Sequence, residues 1–278
     1  MMTDRLSAYL ERWKLDAAPA VDVAGLTQVQ MAHRQAIAYE NLDIRLARPI
    51  RIDSDSAFDK LVKRGRGGYC FEQNRLLADM LALIGLPSRP LLARVQLGLI
   101  PGEVPPLTHT LLLLEIDGEN WIADAGFGGS FAPPMPLRDG ATASTDDGAM
   151  HRLRAIGGQW LLERGGTDAA MDNRTTPGKD WKPQYIFDLS PVAPMDLELC
   201  NHWTSTRPDT RFVTGHIVSI VTPDGFAALT ETTLKQYHAQ AGASEQQLTE
   251  PAAYHAALRD IFRLSISLAD VEALALFA

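Results

Sequence analysis

Three residues of this chain have the types and settings that nucleophilic thiol chemistry requires. Cys70 follows the glycine turn Gly67-Gly68 and stands where a strongly patterned helix begins. Unpaired backbone N–H groups and the helix dipole favour a thiolate at such a place, and the neighbouring Arg64 and Arg66 are expected to push the same way. The thiol should then titrate below the ~8.5 of a free cysteine. A structural cysteine would sit more naturally on the apolar stripe of Leu77, Met80 and Ile84, which Cys70 precedes. Cys200 has neither a glycine turn nor basic neighbours and keeps company with Leu197 and Leu199, so it reads as core or interface.

A thiol nucleophile needs a base, and the base needs an orienting group. Of seven histidines, His109 opens the apolar run TLLLLEID, and Asp124 closes WIAD just before AGFGG. An antiparallel hairpin turning at Asp117 to Asn120 would set the two roughly opposite each other. Taken singly, each has a plainer reading: a satisfied strand-end histidine, and an aspartate capping a turn. The remaining histidines, at 33, 151, 202, 216, 238 and 255, lack metal-site spacing, so no metal is expected. GFGGSF lacks the third glycine of a dinucleotide fingerprint, and no Gly-Lys-Ser/Thr phosphate loop occurs.

The elements that must carry these residues change character along the chain. Leu6, Tyr9, Leu10 and Trp13 are spaced for a helix, as are Leu26, Val29, His33 and Ile37. A short helix fits Ala57 to Val62 with Ser54 or Asp55 as its cap. The helix after Cys70 should end at Gly85, with Pro87 preventing its resumption. From about Pro90 strands take over: Leu91 to Leu97, 108 to 117, Trp121 to Asp124, and a hairpin HRLRAI/QWLLER about Gly157-Gly158. Residues from about Pro133 to Gly148 read as the most polar loop. Beyond Ser190 the signals mix. A short helix is expected around Met195 to Trp203, a hairpin from HIVSIV to FAALT, and a helix opened by Thr249 and Pro251 with Tyr254, Leu258, Ile261 and Phe262 inward.

A chain of 278 residues, 46% hydrophobic and 22% charged, can bury one large core or several smaller ones. The formal charge of −8 argues against nucleic acid or an anionic membrane surface as the main partner. No apolar run approaches the roughly 18–20 residues a bilayer span needs, and MMTDRLSAYLERW lacks the pattern of an export signal. A cytoplasmic protein with reduced thiols is expected.

RGGYCFEQN at 66–74, THTLLLL at 108–114 and DAGFGG at 124–129, with AYENLDI upstream at 38–44, resemble the motifs of the arylamine N-acetyltransferases in kind and order. The resemblance runs from about Leu26 to Phe226. It implies an α+β fold: a helical bundle over 1–88 carrying the nucleophile, a β-barrel over 89–190 carrying the histidine and aspartate, and an α/β lid over 191–278. It places the family's Cys-His-Asp triad, of the cysteine-protease-like type, on Cys70, His109 and Asp124. Acetyl-coenzyme A would be the cosubstrate and small aromatic amines or hydrazines the acceptors, with no tightly bound cofactor and a homodimer left open. Phe127 and Gly128 correspond to the acyl-pocket wall. CNHWTSTRPDTRF resembles the segment lining the coenzyme cleft, so Thr108, Gly128, Trp203 and Thr206 are the implied coenzyme contacts. The chain departs from the family pattern at Ala38, Tyr39, Ala125, Arg207 and Thr210, none of them in the triad. Glu72 and Asn74 are assigned to anchoring the loop or the bundle rather than to catalysis. The rival readings are a peptidase or amide-forming transferase, because papain-like and transglutaminase-like enzymes share the Cys, His, Asp order, and a binding protein that keeps the fold.

Overall fold

The computed structural model describes residues 2–99, 102–145, 148–166, 181–238 and 241–277. Helices α1 (Met2–Trp13) and α2 (Val23–Ala36) form where the apolar spacing places them, and Asp22 caps α2 by accepting from Gly25 N at 2.7 Å. After them come β1 (Tyr39–Glu40), α3 (Leu42–Arg45) and α4 (Ser54–Phe58). The cap of α4 is Asp53 rather than Ser54 or Asp55, because the Asp53 carboxylate reaches Ser56 N at 2.9 Å. The chain then continues as a π-helical turn, Asp59–Lys63, where an α-helix was expected. Helix α5 (Cys70–Ile84) ends as predicted at Gly85, whose φ of 106° is left-handed. Tyr9, Trp13, Leu26, Val29, Leu61, Leu77 and Leu81 share one core.

Eight antiparallel strands follow: β2 (Ser88–Val95), β3 (Leu107–Ile116), β4 (Glu119–Ala123), β5 (Met135–Pro136), β6 (Thr142–Ser144), β7 (Ala149–Ile156), β8 (Gln159–Gly166) and β9 (Lys182–Phe187). Their order is β5-β4-β3-β2-β9-β8-β7-β6. The sheet curls into a nearly closed barrel, since Leu111 and Leu113 of β3 pack in one core with Leu153 of β7 and Leu162 of β8. Leu112 and Leu114 point the other way, into the helical core. Burial on both faces is why the run LLLL lacks the alternation of a half-exposed strand. The Gly157-Gly158 turn forms as read. The other hairpin turns more tightly than read, at Asp117-Gly118 with φ of 53° and 79°. The expected loop from Pro133 to Gly148 contains two short strands, β5 and β6, and its residues 146–147 lie outside the described residues.

Helices α6 (Pro194–Thr206) and α7 (Arg211–Thr214) lead to β10 (Ile217–Thr222), β11 (Gly225–Thr230), β12 (Thr233–His238) and β13 (Gly242–Gln247). α8 (Pro251–Asp260) and α9 (Leu268–Ala273) close the chain. Glu250, not Thr249, is the cap residue of α8; Tyr254, Leu258 and Phe262 are buried as expected, and Ile261 is half-buried. β1 joins this second sheet beside β10, which ties the N-terminal third to the C-terminal one. Asn41 reinforces the tie: its amide donates to the carbonyls of Phe212 and Gly215 at 2.8 and 2.7 Å and accepts from Ile217 N at 2.8 Å. Among the described residues no helix is long and apolar enough to cross a membrane.

Candidate active site

Cys70 is the first residue of α5 and is 2% exposed. The barrel loop 124–129 comes so close that a Cβ on Gly126 would lie 2.6 Å from the Cys70 Cα, so only glycine fits there. Opposite the thiol, β3 carries a bulge: Ala93 pairs with His109 and Arg94 with Leu107, leaving Thr108 as the extra residue. The Cys70 thiol donates to the Thr108 carbonyl at 3.6 Å. Arg64 and Arg66 do not support a thiolate as expected. Arg64 pairs with Asp59 at 2.9 Å, and Arg66 with Glu40 and Asp43 at 2.8 and 3.1 Å. Burial pushes the Cys70 thiol well above its ordinary value, and the Asp124 carboxylate adds to that. A thiolate in this place therefore needs a cation against it, not merely a helix start.

His109 supplies the group that can become that cation. Its Nε2 lies 2.8 Å from Asp124 Oδ2, with the two side chains 2% and 4% exposed. The strand register alone does not produce this contact. Leu112 faces Ala123, so the pairing ends before His109 is reached, and Asp124 makes the bond from just past the end of β4. Asp124 Oδ2 also accepts from the Tyr185 hydroxyl at 3.1 Å, while Oδ1 accepts from Asn74 Nδ2 at 3.0 Å and Gly126 N at 2.8 Å. Four donors saturate an ionised carboxylate. Burial raises the Asp124 pKa, but His109 and these donors outweigh it and hold the group below the usual range. Because Asp124 accepts on every bond, His109 Nε2 must carry hydrogen, which leaves Nδ1 as the basic nitrogen of the neutral ring.

Helix α2 fixes the loop through its backbone. Gln30 accepts from Asp124 N at 2.7 Å, and Arg34 donates to the carbonyl of Gly128 at 2.7 Å. Asn74, expected to anchor the loop or the bundle, anchors the loop: it joins α5 to Asp124 and to the Thr110 carbonyl, and accepts from Ala125 N at 3.0 Å. Hydrogen bonds to charged groups contribute about 1.5–3 kcal/mol. Asn74→Ala should accordingly lower kcat by about tenfold to a hundredfold with a smaller effect on acceptor KM, measured by steady-state kinetics.

A cavity of about 220 Å³ opens beside Cys70 and His109. Of the contacts that the resemblance implies, Thr108, Phe127 and Trp203 also line it, as does Thr210, one of the departures from the family pattern. Asp124 sits behind His109. Gly128 and Thr206 lie outside the lining; the Thr206 hydroxyl donates to the His202 carbonyl within α6 at 2.6 Å. Tyr39, noted in the sequence only as a departure from the family pattern, and Phe212, which falls within a noted motif, complete an aromatic wall that the sequence did not assign to the site. Tyr185 carried no such signal; its ring packs on His109 and Phe127 at centroid distances of 4.9 and 4.8 Å. Among the described residues no group of three His, Cys, Asp or Glu could hold a metal ion.

Residues 22–271, which carry this pocket, match the N-acetyltransferase family model. The chain is 34% identical to an arylamine N-acetyltransferase of Escherichia coli over 268 residues, 95% of this chain and 90% of that protein. Its fold superposes on the Salmonella typhimurium arylamine N-acetyltransferase with a TM-score of 0.89 at 31% identity, covering 99% and 98% of the two chains. The Mycobacterium marinum arylamine N-acetyltransferase in complex with CoA gives a TM-score of 0.85 at 29% identity, with 97% of each chain covered. The chain belongs to the arylamine N-acetyltransferase family.

Proposed function

We propose that this enzyme transfers acetyl from acetyl-coenzyme A to the nitrogen of arylamines, arylhydrazines or N-hydroxyarylamines through an acetyl-Cys70 intermediate, with His109 and Asp124 completing a triad. The observation that carries this is the saturated Asp124 carboxylate, which holds His109 by Nε2 on the wall of the cavity that Cys70 also lines. His109 Nδ1 takes the thiol proton as the sulfur attacks the thioester carbonyl, so thiolate and imidazolium form as a pair and neither charge is buried alone. The Cys70 backbone N–H at the helix start serves the developing oxyanion. The carbon–sulfur bond to the coenzyme breaks, and the coenzyme thiolate leaves with the proton from His109. The amine then attacks acetyl-Cys70, His109 accepts one proton from nitrogen, and the Cys70 thiolate is released as the second leaving group.

In this reading residues 1–88 supply the nucleophile, 89–190 the histidine and aspartate, and 191–278 the lid that carries Trp203. Thr108 and Trp203 contact the acetyl-coenzyme A arm from the lining. Gly128 and Thr206 act through the segments that carry Phe127 and Trp203.

Tyr39, Phe127, Trp203 and Phe212 form a wall suited to a flat ring. An acceptor of low amine pKa also arrives neutral and needs to lose one proton. Anilines and arylhydrazines should therefore exceed lysine or alkylamines in kcat/KM by at least about tenfold, or ~1.4 kcal/mol of transition-state stabilisation. Phe127→Ala should narrow that gap mainly by weakening the aromatic acceptors. Equal rates with aromatic and aliphatic amines, or transfer from a longer acyl thioester but not from acetyl-coenzyme A, would favour a related acyltransferase with another donor.

A further inference from the structure

Five charged side chains are buried together beneath the helix start that carries Cys70: Glu40, Asp43, Lys60, Arg66 and Glu72. Lys60, 5% exposed, lies in the π-helical turn Asp59–Lys63. Its Nζ donates to Glu72 Oε1 at 2.8 Å and pairs with Asp43 Oδ2 at 2.9 Å, and its own carbonyl accepts from Arg66 N at 3.1 Å. One residue thus grips the glycine turn before Cys70 through backbone and the helix after it through side chain. Arg66 is occupied by Glu40 and Asp43. Glu72 lies two residues beyond Cys70, and its Oε2 accepts from Tyr69 N at 3.1 Å, closing the cap that orients the helix start. The same carboxylate, buried and bonded to the residue that precedes Cys70, opposes negative charge on the Cys70 sulfur.

We propose that Lys60 is a positioning residue for Cys70: it holds Glu72 in the cap and cancels the charge that this carboxylate would otherwise set against the thiolate. The proposal rests on Cys70 being the nucleophile. The titratable and charged groups around Cys70 are Glu72 on its own helix, Asp124 and His109 from the barrel side, and Tyr39 and Tyr69; Lys60 meets Glu72 from the bundle side. A purely structural ion pair would also be damaged by mutation, but the sign of the effect on the thiol separates the two roles. Glu72→Gln keeps an acceptor for Tyr69 N and leaves Lys60 its Asp43 partner, while removing a negative charge near the sulfur.

The test is the pH dependence of iodoacetamide alkylation on the full chain, with the modified peptide located by mass spectrometry, for the wild type, Lys60→Met, Glu72→Gln and the double variant. Lys60→Met should move the alkylation midpoint up by about one pH unit, a tenfold slower reaction below the midpoint. It should slow acetylation by acetyl-coenzyme A by a similar factor and leave the arylamine KM unchanged. Glu72→Gln should move the midpoint down, and the double variant should return toward the wild type. Both single variants shifting the same way, or Glu72→Gln leaving the midpoint in place, would overturn the proposal. If Lys60→Met fails to fold, the Glu72→Gln arm decides, because loosened packing has no reason to lower the midpoint. Wild-type alkylation that misses Cys70 would instead refute the nucleophile reading, and this proposal with it.

Discussion

Cys70→Ala is expected to lower acetyl transfer on the order of 10⁶-fold, the scale seen when a covalent nucleophile is removed from an intact site. The fold should survive. The side chain is buried among Ile52, Tyr69 and Phe71, and removing one sulfur there costs about 1 kcal/mol, small against the stability of a typical domain. Cys200→Ala is the control. Cys200 is half-buried on α6 and packs against the cluster that includes Cys70, but its side chain does not line the cavity, so its loss should leave kcat/KM within about twofold. The two variants, compared by circular dichroism and by transfer to an aniline acceptor, separate a lost nucleophile from a lost fold. More than trace turnover in Cys70→Ala would mean that acetyl passes directly between substrates.

Asp124→Asn should lower kcat by about 10³–10⁴-fold although the side chains are nearly isosteric. The surrounding donors explain why so small a change matters. Oδ1 accepts from Asn74 Nδ2 and from Gly126 N, and a backbone N–H cannot reverse its role, so the amide oxygen must take that position. The amide nitrogen is then forced to face His109 Nε2 and the Tyr185 hydroxyl. His109 can meet a donor only by moving its proton to Nδ1, which removes the base that the proposed mechanism uses. An imidazolium, if formed, would also lose its compensating charge. Tyr185→Phe, which deletes one of four donors and keeps the tautomer, should cost far less, about tenfold or below. Steady-state kinetics of both variants check the contrast; activity of Asp124→Asn within about tenfold of wild type would reduce Asp124 to a turn cap.

What could be read from the sequence depended on whether a residue acts through local pattern or through distant contacts. Gly67-Gly68 and the stripe after Cys70 announce a helix start, and the structure begins α5 at Cys70. The pairing of His109 with Asp124 was visible only as strand ends drawn near by a hairpin count. The true register is different, and the contact depends on the bulge at Thr108 and on a loop held by Gln30, Arg34 and Asn74 from the bundle. The basic neighbours of Cys70 misled for the same reason. Arg64 and Arg66 are adjacent in sequence, but acidic residues from elsewhere in the first third claim their charges. Strands β12 and β13 escaped notice because all six residues of β13 are exposed, so its sequence GASEQQ carries no apolar alternation. Tyr185 lies on a strand of ordinary composition, and its hydroxyl gains meaning only when the barrel brings it against Asp124.

Intact-protein mass spectrometry, after mixing the enzyme with acetyl-coenzyme A and no acceptor, reaches the central claim most directly. The account predicts a gain of one acetyl group per chain, confined to the peptide containing Cys70, absent in Cys70→Ala and removed within seconds when an arylamine is added. No stable mass gain, or acetyl found on Cys200 or a lysine and unaffected by the amine, would contradict it.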